Sequence, residues 1–379
     1  MAALNRRLAA AGHQIDVLAA GEDPRLAEMT PGAVPSARER GLAETSEPGG
    51  TVVRVPSSLF YAGGAPDALT QGPAMWLEAA RFSARLGARF LAWQRRCDAF
   101  ISHWLLPCGL LAAGFAGRRP HVAVAHSSDI HLLRRMHGQA IVRWIARRAR
   151  LVYTAASLVV PGAAGHVVPM GIDCAEFAGD LGERQAIRAA LAVQRPTILF
   201  LGRLVPVKGV SVLLQALAAV PAAVLWIAGD GPLRAALQAQ AGSLADRVQF
   251  LGAIAGAERR RRLLACDVLA LPSVELADGR SEGAPQVVLE GLAAGAQVVA
   301  SRVGGVATLL GDAGWCVPPG DVPAWIAALR AALAASDTSR RRRAQAQAQR
   351  FDWSTVAPQI VGTPFGVRQG APTSHAERP

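Results

Sequence analysis

The sequence predicts an α/β protein of two doubly wound domains facing one another across a hinge. Short apolar runs alternate with helix-periodic stretches along nearly the whole chain, as parallel sheets with crossover helices require. The alternation comes in two series, parted by residues 161–171, which are rich in proline and glycine. The 379 residues, 51% hydrophobic and 18% charged, are enough for about two domains with sizeable cores.

The first series opens with a short helix pattern over 4–11, a stop at Gly12-His13 and a strand over 14–19. A parallel unit places a strand before such a helix, and none precedes it, so the N-terminal domain is expected to lack its first strand. Residues 24–50 are polar and turn-rich, and 51–55 form a weak strand. Helical apolar spacing runs over 67–93 through Trp76, Leu77, Ala80, Leu86, Phe90 and Leu91. A strand over 99–102 ends at His103-Trp104, a helix follows from Leu106, and a strand over 121–125 ends at His126. A basic helix over 139–150 leads into a strand over 151–153. The second series has strands over 197–201, 224–228, 248–251, 268–271, 298–301 and, weakly, 315–317, with helices between most of them. The expected division is 1–166 and 167–352, with 353–379 a C-terminal tail lacking regular structure.

Composition narrows the class. A formal charge of +12 favours anionic partners such as nucleotide phosphates or acidic lipid headgroups. The five cysteines are scattered without paired spacing, which suits a reducing compartment and argues against a disulfide frame or a zinc site. Met1-Ala-Ala-Leu-Asn-Arg-Arg has no apolar core with a cleavage site, so the expected location is cytoplasmic. The uncharged run 151–172 is broken by Pro161, Gly162, Gly165, His166 and Pro169. The run 209–229 reads as helix, turn and buried strand, so neither is expected to span a membrane.

Two stretches carry chemistry. In Ile198-Leu-Phe-Leu-Gly-Arg-Leu-Val-Pro-Val-Lys-Gly209 an apolar run ends at Gly202, Arg203 and Lys208 follow, and a helix pattern begins at Val210. Such a strand–turn–helix junction is expected to offer free backbone N–H groups and a positive dipole end to an anion. Lysine plus arginine total 40, and Lys208 is the only lysine. An ammonium is a compact point charge and not a planar fork, so this placement is suggestive, although a lone lysine at a helix start also occurs by chance. In Ser281-Glu-Gly-Ala-Pro-Gln-Val-Val-Leu-Glu290, Gly283 and Pro285 mark a loop entering a helix that is apolar on nearly every side. Glu290 is the only charge of that helix and must find a partner, either sugar or ribose hydroxyls or a nearby arginine.

Together these residues resemble the retaining GT-B glycosyltransferases, the group that includes glycogen synthases and the enzymes of bacterial surface polysaccharides (glycosyl transferases group 1, family 4). The resemblance rests on Gly202-Arg203, Lys208-Gly209, Glu282 and Glu290 in this order. It extends to Asp230-Gly231-Pro232, Gly252, Asp267, Gly304-Gly305, Val168-Pro-Met-Gly-Ile-Asp173, His103 to Gly109 and His126-Ser-Ser-Asp129. It implies a GT-B fold with an interdomain cleft. Arg203 and Lys208 would bind the donor diphosphate beside Gly202, and Glu290 would hold the ribose. Glu282 with Gly283, Ala284 and Pro285 would contact the donor sugar, His126 would face that sugar from the other domain, and backbone near Ile254 would meet the base. The catalytic set would be Glu282, Arg203, Lys208 and His126.

The implied partners are a nucleotide-diphosphate sugar as donor and a saccharide or lipid-linked acceptor, with no metal and no other cofactor. The chain departs from the family at Ala307-Thr308, where an acidic residue is usual, and at Met170, where asparagine is. Its missing first strand also removes a glycine-rich turn. The same fold also serves nucleotide-sugar epimerases, and a basic membrane or nucleic-acid binder without catalysis is a further alternative. An aromatic content of 5% and the lack of a recognition motif argue against nucleic acid. The arginines of 259–262 and 340–343 read as solvated faces. Arg143, Arg147 and Arg150 recur at helical spacing beside Ile141, Trp144 and Ile145, which suits an anionic membrane surface as well as a helix packed on its own sheet.

Overall fold

The computed structural model describes residues 2–21, 44–47, 50–57, 59, 68–69, 72–335 and 338–362. The N-terminal half carries seven described strands: β1 (Val17–Gly21), β2 (Glu44–Glu47), β3 (Gly50–Pro56), β4 (Phe100–His103), β5 (His121–Ala125), β6 (Arg150–Tyr153) and β7 (His166–Val167). They form two sheets, β1-β3-β2 and β4-β5-β6-β7. Among the described residues no strand joins them, and β1 pairs only with β3. Val17, Leu18, Ala19 and Ala20 accordingly remain only half-buried. β2 is a correction to the polar, turn-rich reading of 24–50, since Glu44–Glu47 pairs antiparallel with β3. Residues 24–43 of that loop lie outside the described residues.

The second half is a six-stranded parallel sheet. Its strands are β8 (Thr197–Leu201), β9 (Val224–Ala228), β10 (Val248–Gly252), β11 (Val268–Leu271), β12 (Gln297–Ser301) and β13 (Trp315–Val317), in the order β10-β9-β8-β11-β12-β13. β8, β11 and β12 are buried on both faces, which explains their continuous apolar runs. The helices Gly256–Ala265, Gln286–Ala293 and Thr338–Gln349 cover one face. Val210–Ala218, Arg234–Ala241 and Val322–Ala334 cover the other, with Trp325 wholly buried among them.

Several helix limits shift for local reasons. The helix expected over 67–93 is Pro73–Trp93, started by Gly72 and by proline in its first turn. The helix expected from Leu106 begins at Leu110, after a tight turn over Leu105–Gly109. The basic helix stops at Ala146, because Arg150 already belongs to β6.

The C-terminal tail needs the largest correction. Residues 353–361, expected to lack regular structure, form the helix Trp353–Val361, and Asp352 caps it by accepting from Ser354 N–H at 2.8 Å. Trp353, Val356 and Ile360 pack with Leu4, Leu8, Val122 and Val152 on one face of β4–β6. Asp352 also accepts from Arg7 of the first helix at 3.0 Å. The chain therefore crosses between the halves twice. The two crossings pair with one another: Ile172 N–H donates to Phe351 O at 3.0 Å and Trp353 N–H to Ile172 O at 2.9 Å. Residues 363–379 of the expected tail lie outside the described residues.

Candidate active site

Parallel strands place their functional loops at their C-terminal ends. The ends of β4, β5, β8 and β11 all open toward one cavity of about 1420 Å³ between the two halves. From the second half the wall carries Gly202, Arg203, Lys208, Glu282, Gly283, Ala284, Pro285 and Glu290, and from the first half His126. Every residue expected at the site from the sequence lines this cavity, with one exception. Ile254 is half-buried against the core of the second half and is not part of the cavity wall.

The phosphate-type turn differs from its expectation. Its amides are mostly engaged within the protein: Gly202 N–H donates to Ala228 O, Leu204 N–H to Asp230 O, Val205 N–H to Arg203 O, and Lys208 N–H to Val205 O. Anion binding therefore rests on side chains. Arg203 is exposed in the cavity and makes no ion pair among the described residues. Lys208 ends a single 3₁₀ turn and is followed by Gly209 at φ 60°. A Cβ on Gly209 would lie 2.0 Å from Pro272 O, so only glycine lets this turn sit against the end of β11.

The two glutamates each hold a cation. Lys208 Nζ lies 2.5 Å from Glu282 Oε1, which also accepts from Ser273 Oγ at 3.2 Å. Glu290, buried as its all-apolar helix demands, pairs with Arg259, and burial raises its carboxyl pKa against that cation. The arginine partner allowed by the sequence is thus the one present. Arg259, expected on a solvated face, is a cavity residue instead, with its Nε buried and unpartnered. The neighbouring arginines also have partners: Arg260 pairs with Glu183, and Arg262 pairs with Glu258 and stacks on Trp226. In the second run Arg341 is buried and donates to Gly179 O at 2.7 Å, which corrects the solvated reading there too.

Gly283 and Ala284 present N–H groups without a protein acceptor among the described residues. Their loop is held from behind by Gly304-Gly305. A Cβ on Gly304 would lie 1.9 Å from Glu282 O, and Gly305 N–H donates to Gly283 O at 2.5 Å. The two halves touch here. Ser127 Oγ donates to Ser281 O at 2.8 Å, and nearby Gln286 Nε2 ties the linking segment by donating to Gly171 O at 2.6 Å.

His126 is held by His103, whose Nδ1 lies 3.1 Å from His126 Nε2. Burial, then the neighbouring His126, lowers the His103 pKa to about 3, and burial lowers that of His126 to about 4. Both rings are neutral at neutral pH, so one N–H donates to the other ring. Asp129, quoted in the sequence motif without a role, accepts from Leu105 N–H at 2.6 Å and Ile130 N–H at 2.9 Å. It thereby fixes the Trp104–Leu105 turn beneath the cavity. Burial raises its pKa to about 7 despite those amides. No group of three or more His, Cys, Asp or Glu suited to a metal occurs among the described residues.

The arrangement combines preorganised cations, amides without a protein acceptor among the described residues and a neutral imidazole around one cavity. It suits a reaction in which negative charge builds on a leaving group. Residues 195–335 match the family described as Glycosyl transferases group 1. The chain is 39% identical over 175 residues to a phosphatidyl-myo-inositol mannosyltransferase of Mycobacterium leprae, covering 44% of this chain and 45% of that one. It is 34% identical over 270 residues to the protein of that name from Mycobacterium tuberculosis, covering 64% and 66%. The match thus spans about half to two thirds of these relatives' length. Among solved structures, a sucrose-phosphate synthase from Thermosynechococcus elongatus superposes with a TM-score of 0.73 at 21% identity, over 94% of this chain and 90% of that one. Residues 195–335 belong to the glycosyl transferases group 1 family, and the chain carries them in a GT-B fold.

Proposed function

We propose that the protein is a retaining glycosyltransferase. It moves a sugar from a nucleoside-diphosphate sugar to a saccharide or lipid-linked acceptor in the synthesis of cell-surface polysaccharide or glycolipid. The observation that carries this reading is the convergence of Arg203, Lys208, Glu282, Glu290 and His126 from both halves on one cavity. The relatives it matches are named as transferases and not as epimerases.

In this reading Arg203 and Lys208 meet the diphosphate and stabilise the charge that builds as the glycosidic bond to phosphate breaks. Lys208 exchanges Glu282 for the phosphate, which frees the Glu282 carboxylate for the donor sugar beside the open amides of Gly283 and Ala284. Glu290 turns from Arg259 toward the ribose hydroxyls. His126, neutral and braced by His103, faces the sugar from the acceptor side. Arg203 and Lys208 would supply the positive charge the diphosphate needs, so transfer is proposed to run without a metal. The proposed location is cytoplasmic, with peripheral attachment to an anionic membrane face.

A donor screen reading released nucleotide, in excess chelator, tests the reading. Alanine at Arg203 or Lys208 should weaken nucleoside diphosphate binding by about ten- to a hundredfold, the loss expected of one charge-assisted contact. Glu282→Gln should cut turnover while leaving bare nucleotide affinity equal or higher, because it releases Lys208. Unchanged affinity in both alanine variants sinks the assignment. NMR of the product's anomeric proton tests retention.

A further inference from the structure

The second half carries another cavity, of about 820 Å³, which shares no residue with the one between the halves. Its wall is the loop 178–183 and the start of the helix Thr338–Gln349. Arg341 belongs to this wall and is only 8% exposed.

The charge of Arg341 lacks a counter-charge. Its guanidinium donates to Gly179 O at 2.7 Å and makes no ion pair among the described residues. The two carboxylates of the wall are engaged elsewhere: Asp180 accepts from Glu183 N–H at 2.7 Å, and Glu183 pairs with Arg260. Burial first, then the charge of Arg184, lowers the Arg341 pKa. Arg184 itself shares one carboxylate, Asp267, with Arg188. An arginine keeps its proton in such surroundings, so a buried cation stands uncompensated, at a cost in free energy. The stem of Arg341 lies across Gly295, where a Cβ would come 2.5 Å from its Cγ, just past the end of the helix Gln286–Ala293. A helix end offers only a partial negative charge, and Ala293 O there already accepts from Gln345 at 3.4 Å.

The rest of the wall holds donors without acceptors. Arg342 and the Thr338 hydroxyl make no hydrogen bond or ion pair among the described residues. The helix Leu181–Ala190 begins in the same wall. Asp180 caps the Glu183 amide, which leaves those of Leu181 and Gly182 without a protein acceptor among the described residues. Two guanidinium groups, a hydroxyl and two amides at the positive end of a helix thus surround one cavity. A carboxylate brings one charge and two oxygens in a plane. A phosphoryl group brings nearly two charges and three strong acceptor oxygens, which matches donors on several sides.

We propose that this cavity binds a phosphoryl group, either inorganic phosphate or the phosphate of a small metabolite. Arg341 and Arg342 neutralise it, and Thr338 with the amides of Leu181 and Gly182 donates to its oxygens. The bound anion supplies the counter-charge that Arg341 lacks. Arg341 abuts the helix that carries Glu290, so one helix joins this site to the cavity between the halves.

Calorimetry with inorganic phosphate and with glucose 6-phosphate tests the site. It is run on the Arg203→Ala, Lys208→Ala double variant, in which two cations of the interdomain cavity are removed. Phosphate should still bind to this protein, at one site per chain. Adding Arg342→Glu, at an exposed position, should weaken that binding at least tenfold. Adding Arg341→Met, which keeps an unbranched stem, should do the same. Thermal unfolding shows whether each variant folds, and if Arg341→Met does not, Arg342→Glu decides alone. Tighter binding of glucose 6-phosphate makes the ligand a phosphomonoester, tighter binding of phosphate makes it the free ion, and either supports the site. No phosphate binding in the double variant, or binding that Arg342→Glu leaves unchanged, would overturn it.

Discussion

Arg259 is the residue that the sequence concealed most thoroughly. One arginine in a run of four faces Glu290, and nothing in the run says which. Only the turn of the helix Gly256–Ala265 against the buried helix Gln286–Ala293 decides it. Glu290, by contrast, was legible, since a lone carboxylate on an all-apolar helix has to be buried and partnered. Removing Arg259 leaves that carboxylate uncompensated. Because Arg259 is itself 32% exposed, the expected loss for Arg259→Leu is about 2 kcal/mol, below the range for a fully buried pair. Removing both charges, as Arg259→Leu with Glu290→Leu, should restore most of it. Urea unfolding measures both variants, and a double variant as unstable as the single one contradicts the pairing argument.

Among elements, the central strands were the most legible. β5, β8, β9 and β11 run over the residues their apolar stretches predicted, because a strand buried between helices needs no polar alternation. β2 was hidden, since Glu-Thr-Ser-Glu has no apolar pattern and exists as a strand only through its pairing with β3. The helix Trp353–Val361 was hidden by Pro358 within it and by the polar residues that follow. The turn before the helix Val210–Ala218 was legible as a glycine turn, but not the use of its amides, which depends on neighbouring β9. Its glycine gives a sharp test. Gly209→Ala combines a left-handed φ with a Cβ 2.0 Å from Pro272 O, and should cost more than about 3 kcal/mol and abolish nucleotide binding. Gly279→Ala has φ 77° with nothing within 4 Å, and should cost only about 1 kcal/mol. Thermal unfolding with nucleoside diphosphate titration compares the two, and similar behaviour would refute the packing account.

At the scale of the whole molecule, stability should depend on pH through the first half. His103, His121 and His126 have folded-state pKa values of about 3, 4 and 4, below the ordinary 6.5, each lowered first by burial. Their contribution is complete above pH 6.5 and is lost as pH falls toward 4, because the unfolded chain takes up protons that the folded one refuses. Asp129 acts in the opposite sense. With a pKa of about 7 against 3.8, it favours the folded state as pH drops through that window. Three groups oppose one, so the urea midpoint should fall between pH 7 and 5, and a constant or rising midpoint would show that these rings are not buried neutral.

The proposed attachment to a membrane face belongs to the same scale. Arg134 and Arg143 donate to carbonyls of their own half, and Arg150 to Ile360 O of the C-terminal helix. No helix among the described residues is long and apolar enough to cross a bilayer. Binding to vesicles rich in phosphatidylglycerol should fall with added salt and fall further in Arg143→Glu with Arg147→Glu. Indifference to such vesicles at low salt would reduce the patch to a solvated face.

The paired crossings at Ile172 and Asp352 have a mechanical consequence. A single connecting segment would let the halves swivel and twist freely. Two segments bonded side by side behave as a flat strap, soft to bending across its width and stiff to torsion. Asp352 anchors both ends of that strap, accepting from Cys174 N–H at 3.0 Å on one side and from Arg7 on the other. The relative motion of the halves is thereby confined to something close to one degree of freedom. Any opening of the halves would then carry Ser127 away from Ser281 along a fixed arc and bring it back in register. The alignment of His126 with Glu282 is thus set in part by how the backbone is strung, beside the contact of Ser127 with Ser281.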